Sequence, residues 1–280
     1  MHTIRMKQIK RIAAGLGILF AVTASGVDAQ TPAGTAAVPP GELLTVPSRD
    51  GVTEQLYVQA PAPGSTPPWV VILFAGDDGA LHLNADGPTT LRGNFLIRTA
   101  SYWGRQGDAA VMIDTPSDYR DGVEDGFRHT TESLRDVEAA VQAIRQRFPS
   151  SRLALVGTSR GTSSIGNVLE RHPALADAFV LTAPVSIARK GRVGVSGLSA
   201  DGTKYHVLVV SNQNDACPAA PFYGAKQLAD KNRFDFISVA SSDGGGDSQS
   251  DCGGRSPHGF LGIEDQVLGQ IHRWLAGLPH

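Results

Sequence analysis

The stretch Leu153-Ala154-Leu155-Val156-Gly157-Thr158-Ser159-Arg160-Gly161 decides how this 280-residue chain is read. Its first four residues form a continuous apolar run, the pattern of a strand buried on both faces. The next five match G-x-S-x-G. Beyond them Ile165, Val168 and Leu169 recur at helical spacing until Pro173 stops the pattern. The motif alone is a weak signal. A buried strand before it and an amphipathic helix after it supply the setting in which a serine is held at a sharp strand-to-helix turn. The two glycines then have a steric task, because side chains flanking so tight a turn would collide with neighbouring backbone. A serine at this place also lies at a helix N-terminus, where the dipole favours developing negative charge. The competing reading, a glycine-rich phosphate-binding turn, lacks the G-x-G-x-x-G or G-K-[ST] pattern that would accompany it.

Further continuous apolar runs lie outward from this stretch, at 70–74, 109–113, 179–181, 207–210 and 236–239. Helical patterns separate most of them. Leu134, Val137, Val141, Ile144 and Phe148 form one apolar stripe, stopped by Pro149, with Glu132, Arg135, Asp136 and Arg145 on the opposite face. Ile263, Val267, Ile271 and Trp274 form another that ends near Gly277. Upstream, 43–46 and 55–58 read as an antiparallel pair with a turn at Asp50-Gly51. Strands alternating with helices predict an α/β fold: a doubly wound, mostly parallel sheet flanked by helices. Only about 25 residues separate the runs at 179–181 and 207–210, and 189–204 has no helical periodicity, so a large cap domain is not expected.

The chain opens with Arg5, Lys7, Lys10 and Arg11, then an apolar stretch over 12–24, then Val27-Asp28-Ala29. This is the layout of a signal peptide over 1–29. Its apolar part falls short of the roughly 20 residues that span a bilayer. Residues 30–41 are small, polar and proline-rich and read as a disordered lead-in, which leaves 42–280 as one domain. With 25 basic and 27 acidic residues the formal charge is −2. Residues 1–29 hold four of the basic and one of the acidic residues, so the remainder carries −5. Neither figure offers a footprint for nucleic acid or an anionic membrane. The expected product is secreted or periplasmic, with no stable membrane anchor once the signal is cleaved. In that compartment Cys217 and Cys252 are expected to form a disulfide.

A serine hydroxyl needs a base, and the base needs an orienting carboxylate. Past the run at 207–210 the chain reads Ser211-Asn212-Gln213-Asn214-Asp215, and past the run at 236–239 a loop ends in Ser256-Pro257-His258-Gly259. Ser159, Asp215 and His258 would therefore all reach the C-terminal edge of the sheet, where sites form in open parallel sheets. The order Ser, Asp, His along the chain is that of α/β-hydrolases. His129 is the nearest rival for the base and Asp114 for the carboxylate. Asp243, Asp247 and Asp251 lack calcium-loop spacing and read as solvated loop carboxylates.

With these pieces in place, the sequence resembles the dienelactone-hydrolase-like serine esterases of the α/β-hydrolase superfamily over most of 68–276. The resemblance rests on 70–79 with its glycine turn, Gly157–Gly161, Asn214-Asp215 and Pro257-His258-Gly259. It implies a serine hydrolase that cleaves carboxylic esters through an acyl-enzyme, without metal or organic cofactor, acting on a small-molecule ester. Ser159 would be the nucleophile, His258 the general base and acid, and Asp215 the orienting carboxylate. The oxyanion donors would be the backbone N–H groups of Arg160 and of Asp77 in Ala75-Gly76-Asp77-Asp78-Gly79, a turn that is commonly His-Gly-Gly-like in the family. Peptides, lactones and thioesters stay open as substrates, as does a catalytically silent binding protein on the same fold.

Two expectations concern the surroundings. Asp77 and Asp78 would oppose an oxyanion unless neutralised, so Arg160 is expected to pair with one of them or with another rim carboxylate; its rival role is to read an acidic substrate. The cysteines, two residues after Asp215 and six before His258, would clamp the acid loop to the histidine loop. The loops 81–93 and 115–129 are expected to supply most of the pocket; Trp103, Phe222 and Tyr223 are possible lining, but each reads first as core.

Overall fold

In the computed structural model, which describes residues 40–61, 64–189, 193–247 and 250–279, every apolar run becomes a strand. The strands are β1 (Glu42–Arg49), β2 (Val52–Gln59), β3 (Trp69–Phe74), β4 (Leu83–Asn84), β5 (Gly87–Pro88), β6 (Ala109–Ile113), β7 (Arg152–Thr158), β8 (Ala178–Thr182), β9 (Val207–Asn212) and β10 (Asp235–Val239). Eight of them form one sheet in the order β1-β2-β6-β3-β7-β8-β9-β10, while β4 and β5 make a two-residue ribbon. From β6 to β10 all neighbours are parallel; β2 joins antiparallel to β6, and β1 antiparallel to β2. The ribbon lies inside the 81–93 segment, which the sequence reading leaves as loop. The expected signal segment 1–29 and residues 30–39 of the lead-in lie outside the described residues.

Among the described residues six α-helices accompany the sheet: α1 (Phe95–Arg98), α2 (Ser101–Arg105), α3 (Thr131–Arg147), α4 (Gly161–Arg171), α5 (Phe222–Asn232) and α6 (Glu264–Ala276). Alternate strand residues face opposite sides, and two apolar cores result. Val70, Ile72, Leu155 and Val209 pack with Val137 and Ile144 of α3, Ile165 of α4 and Leu228 of α5. Val71, Leu73, Val156 and Val210 pack with Phe95 and Leu96 of α1, Trp103 of α2 and Ile271 of α6. Both faces of the central strands are thus covered, which is why their runs are unbroken by polar residues. Each fully buried aliphatic side chain contributes on the order of 1.5–3 kcal/mol.

Local signals set the element ends. Thr130 Oγ1 accepts from the Ser133 N–H at 3.1 Å and caps α3, a contact worth about 1 kcal/mol. At the N-terminal edge of the sheet, Asp108 Oδ1 accepts from Trp69 N–H and Asp177 Oδ2 from Leu153 N–H, fixing the starts of β3 and β7. Those strands then deliver the 75–79 turn and Ser159 to the opposite edge, beside the segments that leave β9 and β10. No cap is inserted between β8 and β9: the described residues there contain neither helix nor sheet strand.

Candidate active site

Ser159 stands between β7 and α4 with φ +51°, a left-handed conformation that strains a residue with a side chain. The strain is held from both sides. Its N–H donates to the Thr182 carbonyl of β8 at 3.0 Å, and its carbonyl accepts from the Thr162 hydroxyl at 2.6 Å. The motif glycines have the steric reason expected of them. A Cβ on Gly157 would stand 2.8 Å from the Gly161 carbonyl oxygen, and one on Gly161 would strike the carbonyls of Phe74 and Ala75.

The Asp215 side chain is fully buried and its Oδ2 lies 2.8 Å from His258 Nδ1. Asp215 Oδ1 accepts from the Cys217 N–H at 2.9 Å, so both carboxylate oxygens are held. His258 lies in a short 3-10 turn capped by Ser256 Oγ, which accepts from the His258 N–H at 3.2 Å. With Nδ1 committed to Asp215, the buried His258 Nε2 has no protein partner. Ser159 and His258 line one cleft of about 520 Å3.

The cleft's other wall is the turn after β3. Gly76 lies against the serine: a Cβ there would be 3.0 Å from Ser159 Cβ. Asp77 has φ +55° and its side chain is 72% exposed. Among the described residues neither the Asp77 N–H nor the Arg160 N–H donates to a protein acceptor, and both residues line the cleft. The Arg160 side chain turns away from it: Nε donates to Asp125 Oδ1 and Nη2 to the Val123 carbonyl at 3.3 Å. Nη1 is 3.8 Å from Asp77 Oδ1, a looser contact. The rim carboxylate that pairs with Arg160 is therefore chiefly Asp125.

Cys217 and Cys252 form a disulfide, with Cα atoms 4.6 Å apart, and both line the cleft. The sulfur of Cys217, Asp215 and His258 are close enough together to suggest a metal site, but the thiolate is spent in the disulfide and the other two groups bind each other. Apolar lining comes from Leu91, Phe95, Val185 and Ala219. One expectation about the pocket needs correction. The 115–129 loop does not reach the cleft; it packs behind the 75–79 turn and supplies Asp125. None of the three aromatics lines the cleft: Trp103 is wholly buried in the core, as its first reading has it, Phe222 packs on Phe236, and Tyr223 is exposed, neither core nor lining.

The rivals have other work. Asp114 accepts from the N–H groups of Leu81, Leu83 and Thr115, organising the ribbon. His129 lies by Glu170 in a separate surface pocket. Three groups that shape the site escape sequence reasoning. Asn212 Nδ2 donates to the Pro257 carbonyl at 3.0 Å, joining the end of β9 to the histidine turn. Arg98 donates to the carbonyls of Gly93 and Gly259, joining the two sides of the cleft. Arg128 donates to the Asp77 carbonyl at 3.2 Å from beneath the glycine turn. Each spans a long sequence separation and belongs to no motif; a lone polar residue at a strand end was the only available signal, and only for Asn212.

No protein-family model matches the chain, and no curated protein matches it. Solved structures do. An α/β serine hydrolase without a lid from Xanthomonas campestris aligns over 85% of this chain and 97% of its own, with TM-score 0.56 and 18% identity. An α/β serine hydrolase homologue from Coxiella burnetii aligns over 85% and 99%, with TM-score 0.56 and 14% identity. Est1E from Butyrivibrio proteoclasticus aligns over 84% and 99%, with TM-score 0.55 and 14% identity. The chain has the α/β-hydrolase fold.

Proposed function

We propose that this protein is a serine hydrolase of carboxylic esters, working through Ser159, His258 and Asp215. The observation that carries the reading is the convergence of a strained serine and a carboxylate-held imidazole, with its outer nitrogen unpartnered, in one cleft at the C-terminal edge of the sheet. Ser159 Oγ attacks the ester carbonyl as His258 Nε2 takes its proton, and Asp215 stabilises the imidazolium. The carbonyl oxygen becomes an oxyanion that the Asp77 and Arg160 N–H groups can receive, each such donor being worth about 3–4 kcal/mol to the step. Collapse breaks the bond to the alcohol, which leaves with the proton from His258. Water, deprotonated by the same imidazole, attacks the acyl-enzyme; the acid departs and Ser159 regains its proton. The sequence needs neither metal nor organic cofactor.

The Arg160–Asp125 pair supports uncharged acyl groups, because the cation that follows the nucleophile in the chain already has a carboxylate partner. Lactones, thioesters and peptides would call on the same groups, and the open cleft supports small esters first. The signal-like 1–29 segment and the disulfide support a secreted or periplasmic location. Turnover of p-nitrophenyl acetate tests the reading: wild type hydrolyses it, and Ser159→Ala loses at least about a thousandfold in kcat. Equal turnover by the two proteins would remove Ser159 from the chemistry.

A further inference from the structure

Arg128 is an arginine without a carboxylate partner in a place where one costs heavily. It lies in the 3-10 turn Phe127–His129 and is 4% exposed. No carboxylate stands within 4.0 Å of its guanidinium among the described residues. Instead Nη1 donates to Ser164 Oγ of α4 at 3.1 Å, and Nη2 to the Asp77 carbonyl at 3.2 Å. Gly79 makes room for it: a Cβ there would stand 2.7 Å from Nη2. Burial pushes its pKa down to about 10 and Arg160 adds to the fall, while Asp125, Asp78 and Asp77 oppose it from beyond contact distance, and the group stays cationic at neutral pH. Burying a charge without a contacting counter-ion costs several kcal/mol even after relaxation, so packing alone is a poor reason for it.

We infer that Arg128 is a positioning residue for the proposed reaction. Through the Asp77 carbonyl it fixes the 76–78 turn so that the Asp77 N–H stays beside Ser159, and its charge offsets those of Asp77 and Asp78 where an oxyanion would form. Its second anchor, Ser164, is on the helix that follows Ser159, so one planar fork ties the donor turn to the nucleophile's own element. Besides Arg160, the cation expected to answer the paired aspartates, they thus face a second cation from behind the turn. This rests on Ser159 being the nucleophile, and it adds a group that touches neither substrate nor reacting atoms.

The test compares wild type, Arg128→Met and Arg128→Lys with p-nitrophenyl acetate as substrate and phenylboronic acid, which forms a tetrahedral adduct on a nucleophilic serine, as probe. Arg128→Met should lower kcat about tenfold to a hundredfold, leave KM within about threefold, and weaken phenylboronic acid by a factor that tracks kcat. A folded Arg128→Met with wild-type kcat and boronate affinity overturns the inference, as does a loss confined to KM. If the methionine variant does not fold, Arg128→Lys decides. Lysine keeps the charge but cannot bridge Ser164 and Asp77 together, so kcat and boronate affinity should fall in parallel; wild-type values for both overturn the inference. Wild type that neither turns over ester nor binds the boronate defeats the underlying reading of Ser159, an outcome distinct from these.

Discussion

The guanidinium of Arg160 donates through Nε to Asp125, whose side chain is 3% exposed. This contact joins the residue after the candidate nucleophile to the 115–129 loop and leaves the cleft without a free cation from Arg160. Arg160→Lys should therefore slow neutral and carboxylate-bearing esters by similar factors, since what it loses is support for the turn. Steady-state kinetics on a matched pair, such as a monoethyl and a diethyl dicarboxylate, makes the comparison. A loss confined to the acidic ester would show that Arg160 reads substrate charge.

The disulfide joins the segment after Asp215 to the segment before His258, closing a sequence separation of 35. On the chain-entropy model such a loop constrains the unfolded chain by about 3–4 kcal/mol. Its local effect is more direct, because both half-cystines line the cleft and 241–254 is glycine-rich. Reduction followed by thiol capping should lower kcat at temperatures where circular dichroism still reports a folded protein. Unchanged kcat in the capped protein would assign the bridge to stability alone.

Gly161→Ala should destabilise the fold by roughly 3 kcal/mol or more, because the new Cβ meets the rigid carbonyls of Phe74 and Ala75. Gly126→Ala is the control, since a Cβ there meets nothing within 4 Å. Thermal melts of the two variants should differ by well over 5 °C. Equal melting temperatures would mean that the β3–α4 approach is looser than described.

Asp108 supplies a pH dependence opposite to that of an ordinary paired carboxylate. Burial raises its pKa from 3.8 to about 6, against the lowering effects of the Trp69 N–H and of His272, whose Nε2 is 3.3 Å away. The folded state then holds the proton more tightly than the unfolded state. The associated stability is complete below pH 3.8 and is lost as pH rises through about 6. Asp108→Asn keeps an acceptor for the Trp69 N–H without the charge. The melting temperature of the variant relative to wild type should therefore climb from pH 4.5 to 7.5. Parallel curves over that range would contradict the assignment.

Much of the fold was legible because its cause is local. A sheet covered on both faces demands unbroken apolar strands, and helices covered on one side show their stripes, so β3 and β6–β10, with α3, α4 and α6, announce themselves in the sequence. The strand-to-helix turn at Ser159 was legible because the steric need that the glycines at 157 and 161 answer shows within a single five-residue window. Asp215 and His258 followed from chain order and strand ends. The surroundings were not legible, for a different reason: Arg128 under the glycine turn, Asp125 behind Arg160 and Asn212 beneath Pro257 act across separations of roughly 35 to 50 residues. Such contacts leave neither period nor motif. The 115–129 loop was misplaced on the cleft for the same reason, since its length gives no sign of which side of the 75–79 turn it packs against.

Every role proposed for the cleft depends on Ser159 being an activated nucleophile. Labelling with a fluorophosphonate probe reads that activation, because the reagent reacts with a serine efficiently only when base and oxyanion donors are in place. The folded wild-type protein should be labelled stoichiometrically, with the adduct mapping to the peptide that contains Ser159, and Ser159→Ala should not react. A folded wild-type protein that stays unlabelled, or labelling that persists in Ser159→Ala, would mean that Ser159 is not the nucleophile.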